Sequence, residues 1–255
     1  MMKPDDDKEH RHNLIDHPSL QVLMPYLQSY AHKGLTEFLA GRHTFPGSAA
    51  EIYAANVADR VSELDNALAA LRMTLNFVID LSDQPTPDPD IYRYHYENFV
   101  LRVMGFVDRA HRLVGSALLM NKAKFELIGG NKFVQKQVEI EHPDISTALQ
   151  AVTQAVESYR GPRNELIHAA AFTSRELGLF QSIRQFGVDT DGIDVDELAR
   201  NHFSGESKEI ALTIARLVEA LTNLLDTLHP LFLNAAEHGD DGLKKKSAPE
   251  GADQA

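Results

Sequence analysis

Val57-Ala58-Asp59-Arg60-Val61-Ser62-Glu63-Leu64-Asp65-Asn66-Ala67-Leu68-Ala69-Ala70-Leu71-Arg72-Met73-Thr74-Leu75-Asn76-Phe77-Val78 is the stretch whose reading decides the fold class. Its apolar residues Val57, Val61, Leu64, Leu68, Leu71, Leu75 and Val78 are spaced alternately by four and three. That is the period of a helix burying one stripe against neighbouring helices. Just upstream, Ser48 followed three positions later by Glu51 is a capping-box pattern, so the helix opens there. Downstream, the turn-rich Ser82 to Pro89 closes it.

Working outward, the same alternation recurs three times. A second long helix, starting at Asp88 or Asp90, carries Tyr92, Tyr96, Phe99, Val103, Phe106, Ala110, Leu113 and Ala117. A third, from about Pro143, carries Ile145, Leu149, Val152, Val156 and Tyr159, and its count continues to Arg163, Leu166 and Ala170. A fourth, capped by Ser204 or Ser207, carries Ile210, Ile214, Leu217, Leu221, Leu224, Leu228 and Leu231, with Pro230 expected to bend its last turn. Leu14 to Phe45 reads as short helices, and Phe133 to Ile140 as a short, partly extended segment. Thr173 to Gly205 reads as a long connection in which the acidic run Asp189 to Glu197 is a solvated turn before a short helix. That run does not complete the ligand spacing of a calcium loop. With no convincing run of strands, the pattern predicts an all-α, up-and-down four-helix bundle with additional short helices.

The 255 residues are 43% hydrophobic, enough for a sizeable core. Cysteine is absent, which excludes disulfides, thiolate nucleophiles and zinc-thiolate sites. The start, Met1 to His10, is acidic where a secretory signal would be basic and then apolar, and no apolar run reaches membrane-spanning length. A cytoplasmic protein with no membrane partner is expected. Residues 1–13 and 237–255 read as disordered ends around a single helical domain over 14–236. A net charge of −12 argues against coating nucleic acid by bulk electrostatics. Between Ile91 and Lys124 the balance reverses: Arg93, Arg102, Arg109, Arg112, Lys122 and Lys124 against Glu97 and Asp108 give six minus two, or +4. An anionic partner is expected to dock there. His95, Arg102 and Arg109 recur every seven residues along one flank of the second helix, either as a row of substrate contacts or as side chains snorkelling over the seam.

Chemistry concentrates in Ser158 to Phe172, where the polar cluster Arg163, Asn164 and His168 interrupts the stripe just after Gly161-Pro162. An arginine falls where the period calls for an apolar residue, and Pro162 removes a backbone donor and tends to kink a helix. Asn164 and His168, four apart, share a helical face; Arg163 and His168 are about 140° apart around the axis. Together they offer an always-charged fork for phosphate, an amide that can orient an imidazole or a ribose hydroxyl, and a proton carrier near neutral pH. Those groups suit cleavage of a phosphodiester by the adjacent 2′-hydroxyl without a metal or cofactor. One cluster has a single histidine; two copies meeting at a dimer axis would supply acid and base.

Arg163-Asn164-Glu165-Leu166-Ile167-His168 resembles the Arg-x4-6-His motif of the HEPN superfamily, with a polar residue after the arginine. Tyr92 to Val103 is similar to a subgroup of bacterial HEPN proteins, and the resemblance spans roughly Ile91 to Leu231. It implies a helical bundle of HEPN type, frequent homodimerisation, and in catalytic members a metal-independent ribonuclease of toxin–antitoxin or defence systems, with an antitoxin or defence partner. Carried onto this chain, Arg163 and His168 would be the catalytic pair and Asn164 the intervening polar residue.

Two other readings stay open. One is a non-catalytic HEPN-like dimerisation or binding module, in which His168 pairs with Glu165 and Arg163 with a carboxylate of another helix. The other is a carboxylate and histidine metal site, since Asp108/His111, Glu165/His168 and Asp226/His229 each stand three apart, with Glu63 and Glu97 as further ligands.

Overall fold

The four-and-three stripe is buried where the spacing requires: Val57, Val61, Leu64, Leu68, Leu71 and Val78 lie in the core, and Leu75 is half-buried. These positions belong to one helix of a computed structural model that describes residues 13–168, 172 and 174–246, with backbone alone for 239–246. Among the described residues the regular structure is helical and contains no strand. The α-helices are α1 (Met24–Leu39), α2 (Ala49–Ser82), α3 (Pro89–Val103), α4 (Gly105–Ala117), α5 (Lys122–Phe125), α6 (Gly130–Glu141), α7 (Pro143–Val156), α8 (Arg160–His168), α9 (Arg175–Phe186) and α10 (Val195–Lys246). No helix among the described residues is long and apolar enough to cross a membrane.

The chain divides into two compact units, and α2, α4, α7 and α10 contribute residues to both. One unit comprises the described parts of Met1–Asp65 and Thr222–Ala255 together with His111–Ile145. Here the capping box forms in both directions: the Ser48 amide donates to Glu51 Oε2 at 2.8 Å, and the Glu51 amide donates to Ser48 Oγ at 3.2 Å. Glu51 also accepts from the Ser29 hydroxyl at 2.6 Å and from Lys33 Nζ at 2.7 Å, so the cap doubles as the anchor of α1, which has no fully buried residue. Tyr26 Oη adds a bond to the Ala236 carbonyl at 2.7 Å. Asp65 takes the amides of Leu14 and Ile15, at 2.7 and 3.0 Å, and so caps the first 3-10 turn.

Hydrogen bonds from Lys33, Ser29 and the Ser48 amide hold the Glu51 carboxyl down to about 2, against an ordinary value of 4.5. A depressed folded value contributes stability that is full above the unfolded value and is lost as pH falls towards 2. Lys33 is 46% exposed, so solvent screens the pair. Glu51→Gln is therefore expected to cost about 1–2 kcal/mol at neutral pH. In urea melts that cost should shrink between pH 5 and pH 2.

Phe133 to Ile140, expected to be partly extended, lies within α6, with Val134 and Val138 buried four apart. The β-branched residues mimic a strand pattern, but a helix also accepts an i, i+4 pair. Gly129 starts this helix in the left-handed region at φ 88°, and Gly130 is pressed against α5: a Cβ there would sit 2.1 Å from the Phe125 carbonyl oxygen. Because the obstacle is backbone, Gly130→Ala should cost about 2–3 kcal/mol, read as a fall of roughly 5–10 °C in Tm.

The other unit comprises Asn66–Ala110 and the described part of Ser146–Leu221. Aromatic rings fill its core: Tyr92 stacks on Phe203 at 4.2 Å and 5°, Phe180 meets Phe203 edge-on at 6.3 Å, and Phe99 meets Tyr159 edge-on at 5.1 Å. Both α8 and α9 pack against α3. The second predicted helix divides at Met104 into α3 and α4, yet its whole stripe from Tyr92 to Ala117 is buried, because Met104 keeps right-handed helical angles.

Several expectations are corrected here. The third helix does not kink at Pro162. It ends at Val156 (φ −117°), passes through a 3-10 turn over Glu157–Tyr159, and restarts as α8, whose first turn tolerates the proline. The stripe stops at buried Tyr159; Arg163 and Leu166 are half-buried and Ala170 lies outside the described residues. The connection after Thr173 contains α9, capped by Ser174 Oγ accepting the Leu177 amide at 3.0 Å. The fourth helix starts at Val195, where Asp194 Oδ1 accepts the Glu197 amide at 2.8 Å, not at Ser204 or Ser207. Within the acidic run, Asp189 and Asp194 serve as turn and cap acceptors and Asp196 pairs with Arg184 at 2.9 Å. α10 also runs past Pro230 to Lys246, with Phe232 and Ala235 rather than Leu231 continuing the buried stripe.

Candidate active site

The helical restart after Tyr159 creates the site. It takes Arg163, Asn164 and His168 out of the apolar seam and onto α8, a nine-residue helix with no fully buried residue. Asn164 and His168 are exposed, one turn apart on one face. Arg163 Nη1 donates to Asn164 Oδ1 at 3.3 Å, which draws the half-buried guanidinium towards that face despite its different position around the axis. Among the described residues Arg163 has no carboxylate partner, and His168 does not pair with Glu165. The charged partner seen at this helix is upstream, where Arg160 and Glu157 form a two-bond pair at 2.7 and 2.8 Å.

The segment holding the cluster is fixed at both ends against the same stretch of α3. At its entry Tyr159 lies edge-on to Phe99, and its hydroxyl is 3.4 Å from that of Thr213 on α10. At its exit the Phe172 ring lies 4.3 Å from the Tyr96 ring, and the Phe172 amide donates to Glu97 Oε1 at 2.8 Å. Behind these rings Glu206 is half-buried. Burial, followed by its acidic neighbours Glu209 and Glu176, raises its pKa against the opposing effect of His202. Burial also raises the hydroxyls of Tyr92, Tyr96 and Tyr159, which favours their neutral, hydrogen-donating forms.

The expected substrate row is placed differently. His95 stacks on Phe77 of α2 at 4.7 Å and 18°, and burial lowers its pKa, so the ring serves as a neutral packing surface. Arg102 is exposed and its Nε donates to Asn98 Oδ1. Arg109 lies half-buried in α4 with its guanidinium over Gly105. Two residues along a helix turn a side chain through 200°, so His95 and Glu97 point about 160° apart. Since Glu97 faces the exit of the Arg163–His168 segment, the structure does not bring His95 to that segment. The residue that sequence reasoning missed as a site neighbour is Glu97, weighed only as a metal ligand.

Among the described residues the carboxylate and histidine pairs are not gathered into a metal-binding group. Asp226 accepts from the Ser19 hydroxyl at 3.1 Å, His229 Nδ1 lies 3.2 Å from the Ser19 carbonyl, and Glu63 pairs with Arg60 at 2.9 Å. No group of three or more histidine, aspartate or glutamate side chains among the described residues could hold a metal ion.

No curated protein and no solved structure matches this chain. The model of the Cthe2314-like HEPN family matches residues 47–229, from just ahead of α2 to one residue before Pro230, and so includes α8 and the whole of the helix that opens at the capping box. Its span covers more than half of the 255 residues, and the helices within it carry most of the buried core residues. The chain belongs to the HEPN superfamily, in the Cthe2314-like HEPN family.

Proposed function

We propose that the chain is a cytoplasmic, metal-independent ribonuclease that acts as a homodimer and uses Arg163, Asn164 and His168. The observation that carries this reading is the Arg163–Asn164 bond of 3.3 Å on the face that also holds exposed His168. The arginine and amide joined by this bond share a nine-residue helix with the exposed imidazole, and no residue of that helix is fully buried.

In the proposed reaction the ribose 2′-hydroxyl loses its proton to one imidazole and attacks the phosphorus. The bond to the 5′-oxygen breaks, and that oxygen takes a proton from a second imidazole. The products are a 2′,3′-cyclic phosphate and a 5′-hydroxyl. Arg163 stabilises the charge that builds on the phosphoryl oxygens, Asn164 orients His168 or the ribose, and the second imidazole comes from the other copy of the chain. Arg102 and Arg109 guide RNA from outside this segment. A chain with this activity would need restraint by an antitoxin or defence partner.

The test is incubation of chelator-treated wild-type protein and an Arg163→Ala/His168→Ala variant, both confirmed folded by circular dichroism, with mixed single-stranded and transfer RNA. Cleavage by wild type alone supports the reading. Binding of RNA without cleavage would replace it with a non-catalytic module.

A further inference from the structure

Turns favour glycine, proline and polar residues, but the corner between α5 and α6 carries Leu127 and Ile128. The Gly130 amide donates to the Leu127 carbonyl at 2.9 Å, and Gly129 sits at φ 88° and ψ 0°. That is a type II turn with Ile128 at its outer corner. Ile128 is fully exposed and Leu127 is 69% exposed. The corner is held from behind. Phe125 is buried against Gly115 of α4, where a Cβ would sit 2.8 Å from its ring, and Gly130 admits no Cβ beside the Phe125 carbonyl. Glu126 pairs with Arg60 of α2 and lies 3.9 Å from Lys122 Nζ.

Lysines surround the two aliphatic side chains. Lys122 and Lys124 precede them on α5, and Lys132 and Lys136 follow, one turn apart on α6. All four are exposed, and Lys124 reaches across to α6, with its Nζ 5.7 Å from the centre of the Phe133 ring. Over residues 121–137 they stand against Glu126 alone, four minus one, or +3, and the neighbouring Arg60 and Glu63 of α2 cancel. The acidic residues of α6, Glu139 and Glu141, come about 14 and 17 Å along the axis from Gly130. Exposed charges beyond about 8–10 Å are largely screened, so the local +3 rather than the overall −12 governs what docks here.

We propose that this corner is a membrane-surface contact: Leu127 and Ile128 dip into the interface of an anionic bilayer while Lys122, Lys124, Lys132 and Lys136 meet its phosphate headgroups. The chemistry of the tip chooses the occupant. RNA would call for phosphate contacts and exposed rings on which bases stack, but the exposed tip is aliphatic and Phe133 is half-buried under Lys124. A bilayer interface yields to a projecting aliphatic tip. The contact needs no spanning helix, is reversible, and does not depend on the ribonuclease reading.

The test is sedimentation of the full chain with vesicles of phosphatidylglycerol and phosphatidylcholine in equal parts, and of phosphatidylcholine alone, in about 0.1 M salt. Wild type should sediment with the anionic vesicles and not with the neutral ones. A lysine near an anionic surface is worth about fivefold, so Lys132→Gln/Lys136→Gln should weaken binding about 25-fold. Leu127→Ser/Ile128→Ser should weaken it about 10- to 100-fold. These side chains are exposed, so thermal melts should be unchanged. The chain has no tryptophan, so Ile128→Trp adds a single reporter, whose emission should shift to the blue with anionic vesicles and be quenched by brominated acyl chains. Equal sedimentation of wild type with both vesicles, serine-pair binding like that of wild type, or unshifted Ile128→Trp emission overturns the proposal. So does wild type that ignores vesicles but loses its oligomeric state in the serine pair, which assigns the corner to a second copy. Retention of an RNA oligonucleotide through the lysines, without vesicle binding, overturns it in favour of RNA.

Discussion

On the proposed reading, His168→Ala is expected to abolish RNA cleavage while leaving the fold intact. The imidazole is exposed at the last position of α8, a helix with no fully buried residue, so truncation removes no core contact and opens no cavity. Surface truncations of this kind stay within about 0.5 kcal/mol. The catalytic cost is of another order. A positioned acid or base is worth about 100- to 10,000-fold, and in a homodimer one substitution deletes both imidazoles, so a loss of at least about 1,000-fold is expected. The measurement is single-turnover cleavage beside a thermal melt of the same preparation. Cleavage within tenfold of wild type, with an unchanged melt, would contradict the role of His168. Growth arrest on expression of the wild type, relieved by the same substitution, is the corresponding outcome in cells.

Phe203→Ala carries the largest expected loss of stability. The ring is fully buried, stacked on Tyr92 at 4.2 Å and 5°, and met edge-on by Phe180. Truncating a buried phenylalanine costs about 3–5 kcal/mol through lost transfer energy and the cavity left behind. For a protein of this size that is a fall of roughly 8–16 °C in Tm. The site of this effect is informative, because Phe203 precedes Ser204, where the sequence suggested that the fourth helix begins. A loss below about 1 kcal/mol in a urea melt would mean that α10 does not pack over this stretch.

The long helices were legible because their apolar residues repeat without interruption. The stripes of α2, α3, α4 and α7 are buried almost position for position, and the Ser48/Glu51 pattern forms a two-way cap. The displaced helix boundaries share a cause: packing outweighs local breakers. Ser204-Gly205 looks like a helix start, and a glycine in a helix costs about 1 kcal/mol relative to alanine. Burial of Phe203 against Tyr92 outweighs that cost, and Ser207 spends its hydroxyl on the Ser204 carbonyl at 2.8 Å inside the helix. Pro162 looked like a kink in a continuing helix; with the break moved to Glu157–Tyr159 it falls in a first turn, where its missing donor costs nothing.

The placement of Arg163, Asn164 and His168 on one helix was legible as well. Arg163, Asn164 and His168 lie within six residues, so their spacing alone places them on one short helix. The arrangement around α3 was not legible. Glu97 meets a backbone amide 75 positions downstream, and no local sequence pattern encodes a contact across that separation. Periodicity put His95 and Arg102 on a common flank, but it could not say which neighbour faces that flank. Phe77 does, by stacking on His95.

The most direct test of the account is the chemistry of the ends left on RNA by metal-free wild-type protein. Fragments carrying 2′,3′-cyclic phosphate and 5′-hydroxyl termini in excess chelator, and absent with Arg163→Ala/His168→Ala protein, are the predicted result. Fragments with 3′-hydroxyl and 5′-phosphate ends, or cleavage that survives the double substitution, would contradict attack by the 2′-hydroxyl at Arg163, Asn164 and His168.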